Sequence, residues 1–196
     1  DMMLVLLIMG SFLIGSVPIG LLVAKEKGID IRKMGSGNIG ATNVMRTIGK
    51  REALITLTGD ILKGVIPVLL ALKIFPDNIR VGLIGLAAIA GHDFSVFLRF
   101  KGGKGVATSL GVLLVFSPVS ALFTIAVWIS VFFITKISSL SALFAFILLP
   151  VNIYLIDNSE GKFLIALIIT VLIVIKHKDN IVRLMHGDES RIGQKA

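Results

Sequence analysis

Cysteine is absent from this chain of 196 residues. Disulfides, thiolate nucleophiles and cysteine-based zinc sites are thereby excluded. Histidine is scarce: His92, His177 and His186 are the only three, and none falls in an HExxH pattern, which argues against a zincin. No metal site and no cofactor is expected. A Walker A loop is missing as well, because five residues before Gly103 stands Leu98 and not glycine. The chain carries no visible internal repeat and no low-complexity tract.

Charge is also missing over long stretches. Hydrophobic residues make up 55% of the chain and mean hydropathy is +0.95, above the roughly 45–50% apolar content of soluble domains. From Met2 to Ala24 there is no charged residue, and about 20 apolar residues suffice to cross a bilayer as a helix. This block is expected to remain as a span and not to be cleaved as a signal peptide. It is too long, lacks a basic leading region, and the same pattern recurs downstream.

The pattern predicts an all-α integral membrane protein with seven transmembrane helices: Met2–Ala24, Glu52–Phe75, Ile79–Leu98, Val106–Phe116, Pro118–Thr135, Ser139–Ile156 and Phe163–Ile175. The fourth is too short to cross a ~30 Å core at ~1.5 Å per residue. It either borrows the Lys101–Gly105 segment, crosses a thin region, or pairs with the fifth as a re-entrant element. Ser117-Pro118 marks a tight turn between them. A single polytopic domain over 1–196 is expected.

Basic residues orient the map. Of the 20 Lys and Arg residues, only Lys73, Arg80 and Lys162 fall on one side and Lys63 falls within a span; the others, Lys195 included, fall on the opposite side. The net charge of +8 therefore reads as topology and not as nucleic-acid binding. The positive-inside rule puts the N-terminus outside and the C-terminus in the cytoplasm. The inner connections are the long ones, rich in Gly, Ser, Asn and charge, so function is expected there.

Three inner segments can carry chemistry: 35–46, 91–108 and 177–191. The first reads Gly35-Ser36-Gly37-Asn38-Ile39-Gly40-Ala41-Thr42-Asn43-Val44-Met45-Arg46. Glycines let successive backbone N–H groups converge on one anion. Ser36, Asn38, Thr42 and Asn43 add neutral donors, and Arg46 adds a fork suited to phosphate. The segment matches GxGxxG, yet a dinucleotide fold needs a preceding strand, and here the segment links two spans. The alternative is a flexible polar linker.

The second segment runs Gly91-His92-Asp93-Phe94-Ser95, then Arg99-Phe100-Lys101-Gly102-Gly103-Lys104-Gly105-Val106-Ala107-Thr108. Gly102, Gly103 and Gly105 around Lys104 would let backbone and ammonium approach a phosphate, helped by any helix N-terminus near Gly105. The alternative is that Arg99, Lys101 and Lys104 only set topology or meet lipid headgroups. The third segment places His177 and Asn180 three apart, on one face of a helical turn. A solvated basic tail is the other reading. Asp60 and Lys63, inside the second span, are expected to pair with each other, the alternative being that they face the inner site.

Together the SGNIGATNVMR, GHDFSVFLRFKGGKGVAT and HKDNIVRLMHGDES stretches resemble the bacterial membrane glycerol-3-phosphate acyltransferases that take acyl phosphate as donor, the PlsY family. The resemblance covers essentially the whole chain. It implies transfer of a fatty acyl group from acyl phosphate to the 1-hydroxyl of sn-glycerol 3-phosphate, giving lysophosphatidic acid and orthophosphate. It also implies a multi-pass protein of the bacterial cytoplasmic membrane with its site on the cytoplasmic side. Its partners would be the two substrates and the bilayer, with no nucleic acid and no obligate protein partner.

The resemblance assigns catalytic roles to Ser36, Arg46, Lys104, His177 and Asn180. Substrate contacts are expected from Gly37, Asn38, Gly40, Thr42, Asn43, Lys101, Gly102, Gly103, Gly105 and Thr108. Glu189, Asp60 and Lys63 are expected to be architectural. The HxxxxD signature of soluble-type acyltransferases is absent, since Phe97, Val182 and Arg191 stand five after the three histidines. Acyl phosphate is already activated, so no acyl-enzyme is needed. The proton acceptor is either His177 or a phosphate oxygen of the donor. The main rivals are an anion transporter, which would place its site near the midplane, and a membrane subunit that binds anionic lipid.

Overall fold

A computed structural model describes residues 1–192. Lys195 lies outside the described residues. Among them there are only helices and turns, no strand. Eleven α-helices run in chain order: α1 Met2–Ser16, α2 Ile19–Glu26, α3 Ala41–Thr47, α4 Lys50–Ile74, α5 Asn78–Asp93, α6 Val106–Phe116, α7 Pro118–Thr135, α8 Ser138–Ile147, α9 Leu149–Asp157, α10 Glu160–Lys176 and α11 Lys178–His186.

The helices follow the apolar blocks, and proline breaks two of them. Pro18 has no N–H to donate and separates α1 from α2. Pro150 sits in the first turn of α9, just after α8 ends. Five helical stretches are long and apolar enough to cross a membrane: 2–26, 50–74, 78–98, 118–135 and 138–157. Helix α10, with 17 residues, falls just short. Helix α6 has 11 residues, about 16 Å of rise.

Small residues let the helices meet backbone to backbone, as helices in lipid commonly do. A Cβ on Gly15 would lie 2.1 Å from the Ala88 carbonyl oxygen, which joins α1 to α5. A Cβ on Gly64 would lie 2.2 Å from the Thr108 carbonyl oxygen, which joins α4 to α6. The core of Ile84, Val112, Phe146, Ile165 and Ile169 is sealed. Outward, Leu54, Leu122, Ile134 and Leu155 are all more than half exposed. So much exposed apolar surface suits a lipid solvent and not water.

Polar contacts gather at two opposite ends. At one end Arg80 pairs with Asp1 at 3.2 Å and Asp77 at 2.5 Å, and Asn78 donates to Ser159 at 3.1 Å. There Asp157 accepts from Ser117, Ser120 and Lys162. At the other end Lys27 meets Glu52 at 3.2 Å, Thr42 meets Ser138 at 3.2 Å, and Arg32 reaches the Lys101 carbonyl. Helix α6 links the two ends, from Gly105 beside Asp93 to Ser117 beside Asp157.

Candidate active site

The three glycine-rich and basic segments meet at the second of these ends. A cavity of about 360 Å³ takes Ser36, Gly37 and Asn38 from the first, Phe94, Gly102, Gly103 and Lys104 from the second, and Ile175, Lys176, Lys178 and Asp179 from the end of the chain. A smaller cavity of about 240 Å³ adjoins it, lined by Arg32, Ile39 and Lys101. The two share Gly37, Asn38 and Gly102 as walls.

Asn43 shapes the first segment. Its amide donates to the carbonyls of Asn38 at 2.8 Å and Met34 at 3.0 Å, and its Oδ1 accepts from the Ser36 N–H at 3.0 Å. The side chain is buried and fully engaged, so it builds the loop from within and offers no donor to the cavity. The loop can close over it because Gly35 and Gly37 adopt positive φ of 57° and 69°. A Cβ at Gly35 would strike Asn43 Oδ1 at 2.3 Å. Asn38 Oδ1 accepts from the Gly40 N–H at 3.3 Å. Arg46 is half-buried on α3 and lines neither cavity, and Thr42 faces Ser138.

The second segment corrects one expectation. The Gly102 and Gly103 N–H groups donate to the Asp93 and His92 carbonyls at 3.2 and 3.0 Å. They cannot also cradle a phosphate. These glycines serve close approach instead, since a Cβ on Gly102 would lie 2.0 Å from the His92 carbonyl oxygen. Helix α6 starts directly after Gly105, whose φ is +74°. The buried Asp93 carboxyl already lies against Gly105 and has no hydrogen-bond partner. Thr108 is buried inside α6, away from both cavities. The positive charge at the site therefore comes from side chains: Lys104, Lys176 and Lys178 on the larger cavity, Arg32 and Lys101 on the smaller.

Lys104 is the best-anchored cation. Its ammonium donates to Asn180 Oδ1, and Asn180 Nδ2 donates to Glu189 Oε1 at 2.6 Å. Ser139 Oγ and Arg183 Nε complete the Glu189 carboxylate at 2.7 and 2.6 Å. Burial raises the Glu189 pKa, but the bonds from Ser139, Arg183 and Asn180 outweigh it and hold the carboxyl below its usual range. Burial is also the main reason that Lys104 is pulled down to about 8. Ser139 had no signal in the sequence, being one of several serines at the start of α8.

His177 is the N-cap of α11 and is 2% exposed. Its Nδ1 lies 2.7 Å from the Ile173 carbonyl, which can only accept, so Nδ1 carries the proton and Nε2 is bare. Burial first, and the nearby Lys104 charge after it, press its pKa to about 4 although the Ile173 carbonyl works the other way. The ring is neutral across the physiological range.

Asp60 and Lys63 do pair, at 2.8 Å, with both side chains buried. Lys63 also donates to the Val17 carbonyl, where α1 breaks, at 2.8 Å, and to His92 Nδ1 at 3.0 Å. Among the described residues no three His, Asp or Glu side chains gather as a metal-holding group.

A family model described as glycerol-3-phosphate acyltransferase matches residues 5–187. A glycerol-3-phosphate acyltransferase of Geotalea daltonii is 48% identical over 186 residues, covering 95% of this chain and 96% of the relative. One of Geobacter sulfurreducens is 45% identical over 92% of this chain and 93% of the relative. Two crystal structures of PlsY, an integral membrane glycerol 3-phosphate acyltransferase, superpose closely. The glycerol 3-phosphate form gives a TM-score of 0.94 at 41% identity over 97% of this chain and 96% of that one. The lysophosphatidic acid form gives 0.91 at 40% identity over 97% and 95%.

Proposed function

The chain belongs to the glycerol-3-phosphate acyltransferase family, and from that membership we propose that it transfers a fatty acyl group from acyl phosphate to the 1-hydroxyl of sn-glycerol 3-phosphate. The products are 1-acyl-sn-glycerol 3-phosphate and orthophosphate. One observation carries this reading: two adjoining cavities, each with its own cations, share the wall of Gly37, Asn38 and Gly102. Two phosphorylated substrates need that arrangement. Their mutual repulsion, about 4 kcal/mol per charge pair at 4 Å and an effective dielectric of 20, must be offset by cations before they can react.

The hydroxyl attacks the acyl carbonyl carbon, the new ester C–O bond forms, and the acyl carbon–oxygen bond to phosphate breaks. The hydroxyl proton ends on the departing orthophosphate. His177 is a poor acceptor, because its pKa of about 4 makes it a weak base. A phosphate oxygen of the donor is the better one; His177 is buried and lines neither cavity, so its role here rests on family resemblance. Lys104, fixed by Asn180 and Glu189, holds the phosphate of glycerol 3-phosphate, so the larger cavity is read as the glycerol-phosphate site. Ser36 lines the cavity and adds a hydroxyl donor. Arg46 is assigned a role by family resemblance. Alignment of the two reactants supplies much of the remaining acceleration.

The same reading gives one polytopic domain with seven spans, α6 and α10 being the short crossings. Its N-terminus is outside and its site lies on the cytoplasmic face of a bacterial inner membrane. Support comes from the Lys and Arg excess at the site end and from the separate polar cluster around Asp1, Asp77 and Asp157.

The test is purified protein in detergent given acyl phosphate and glycerol 3-phosphate, with orthophosphate release and lipid product both followed. Release that depends on glycerol 3-phosphate, and is lost in Lys104→Met and Asn180→Leu variants, is expected. Equal turnover with an acyl thioester as donor would refute the choice of acyl phosphate.

A further inference from the structure

The glycine at 103 has a specific opponent. A Cβ built there would lie 2.1 Å from His92 Nε2 and within 3.0 Å of the two ring carbons beside it. The imidazole therefore presents its Nε2 edge to Gly103, which lines the larger cavity. The far edge of the ring is held just as closely. Lys63 lies 3.0 Å from Nδ1 and Asp60 Oδ1 lies 3.6 Å from it; the nearer ammonium can only donate, which assigns Nδ1 as acceptor and Nε2 as the protonated nitrogen. Lys63 is fixed in turn by Asp60 and the Val17 carbonyl. The backbone of the same histidine accepts the Gly103 N–H. His92 thus touches the loop with both its carbonyl and its ring.

We propose that His92 is a positioning residue: the edge of its imidazole, braced from below by the Asp60–Lys63 pair, sets the height of Gly103 and so aims the adjoining Lys104 into the cavity. The inference rests on the reading of that cavity as the glycerol-phosphate site. It gives the ion pair inside the membrane a task, since buried charges in lipid are costly and are kept where they act. It also explains why position 103 needs glycine for reasons other than backbone conformation: Gly103 is not among the positive-φ glycines.

The experiment compares wild type, Gly103→Ala, His92→Asn and the double variant. Asparagine keeps an acceptor for Lys63 and removes the ring edge under position 103. Gly103→Ala alone is expected to raise the KM for glycerol 3-phosphate by about tenfold or more, the factor that about 1.4 kcal/mol of displacement cost gives if it falls on substrate binding. His92→Asn is expected to raise that KM while leaving the KM for acyl phosphate unchanged. In the double variant the added methyl group occupies the vacated space, so Gly103→Ala should cost far less there than it does alone. Independent, multiplicative effects would overturn the proposal, as would a His92→Asn enzyme with the wild-type KM. A wild type without acyl transfer would instead remove the reading of the site. If His92→Asn does not fold, ¹⁵N-histidine spectra of the wild type decide. An Nε2-protonated ring whose signal moves on adding glycerol 3-phosphate supports the proposal, and an Nδ1-protonated or indifferent ring overturns it.

Discussion

Replacing Asn180 by aspartate changes a single amide group into a carboxylate of the same shape, and the site is built so that this should be worse than truncation. Asn180 stands between a cation and an anion, accepting from Lys104 at Oδ1 and donating to Glu189 Oε1 from Nδ2 at 2.6 Å. In Asn180→Asp the second oxygen would face the Glu189 carboxylate. Two full charges at that distance repel by about 6 kcal/mol at an effective dielectric of 20. The pair escapes by moving apart or by sharing a proton, and either breaks the chain to Lys104. Where both stay ionised, the new charge neutralises Lys104. Each unit of phosphate charge about 4 Å away then loses up to about 4 kcal/mol of attraction, and solvent at the open cavity reduces this to roughly 2–4 kcal/mol. The expected loss in kcat/KM for glycerol 3-phosphate is about 30- to 1000-fold. Asn180→Ala removes two hydrogen bonds but adds no charge, so it should cost less, about 1.5–3 kcal/mol. The assay is orthophosphate release over a range of glycerol 3-phosphate concentrations, with melting temperature as the control for folding. An Asn180→Asp enzyme more active than Asn180→Ala would refute the argument, because shape alone would then explain the position.

Further expectations follow from the same geometry. With Lys104 pulled down to about 8, its ammonium is present below that pH and lost above it. The kcat/KM for glycerol 3-phosphate should therefore fall as pH rises through about 8, and Lys104→Arg should move that limb upward. His177, pressed to about 4, stays neutral from pH 5 to 9, so no acid limb between 5 and 7 should arise from it; a limb there that vanishes in His177→Gln would restore the histidine as base. Gly91→Ala places a Cβ 2.1 Å from the Phe12 carbonyl oxygen, and the α1–α5 contact should lose about 1–3 kcal/mol, read as a lower melting temperature in detergent. Lys63→Met leaves Asp60 buried without its cation and should destabilise by about 3–5 kcal/mol, whereas Asp60→Leu combined with Lys63→Met should recover part of that loss.

Much of the architecture was legible in the residues. Uncharged runs of about 20 residues need no partner to be read as helices, because lipid forces every backbone group to bond within its own segment. Prolines 18 and 150 also mark where two of those runs break, although the apolar count alone passes over them. Arg80 and Lys162, which the Lys and Arg distribution set apart from the others, do pair with Asp1 and Asp157 on the end away from the cavities. The roles within the site were less legible. Asn43 reads as a donor for substrate but is enclosed by its own loop, and the loop glycines read as an anion cradle although their N–H groups are bonded to α5 carbonyls.

Local sequence determined which segments are helical, which end is basic, and that three polar stretches share that end. Those properties depend on composition and on backbone bonds formed within a few residues. Tertiary structure alone decided that Lys104 is anchored by Asn180, 76 positions away, that Ser139 supports Glu189, and that His92 stands between Lys63 and Gly103. Side-chain partnerships of that kind depend on how closely and at what rotation two helices pack. That is fixed by glycine contacts and core shape across the whole bundle, which no short stretch of residues encodes.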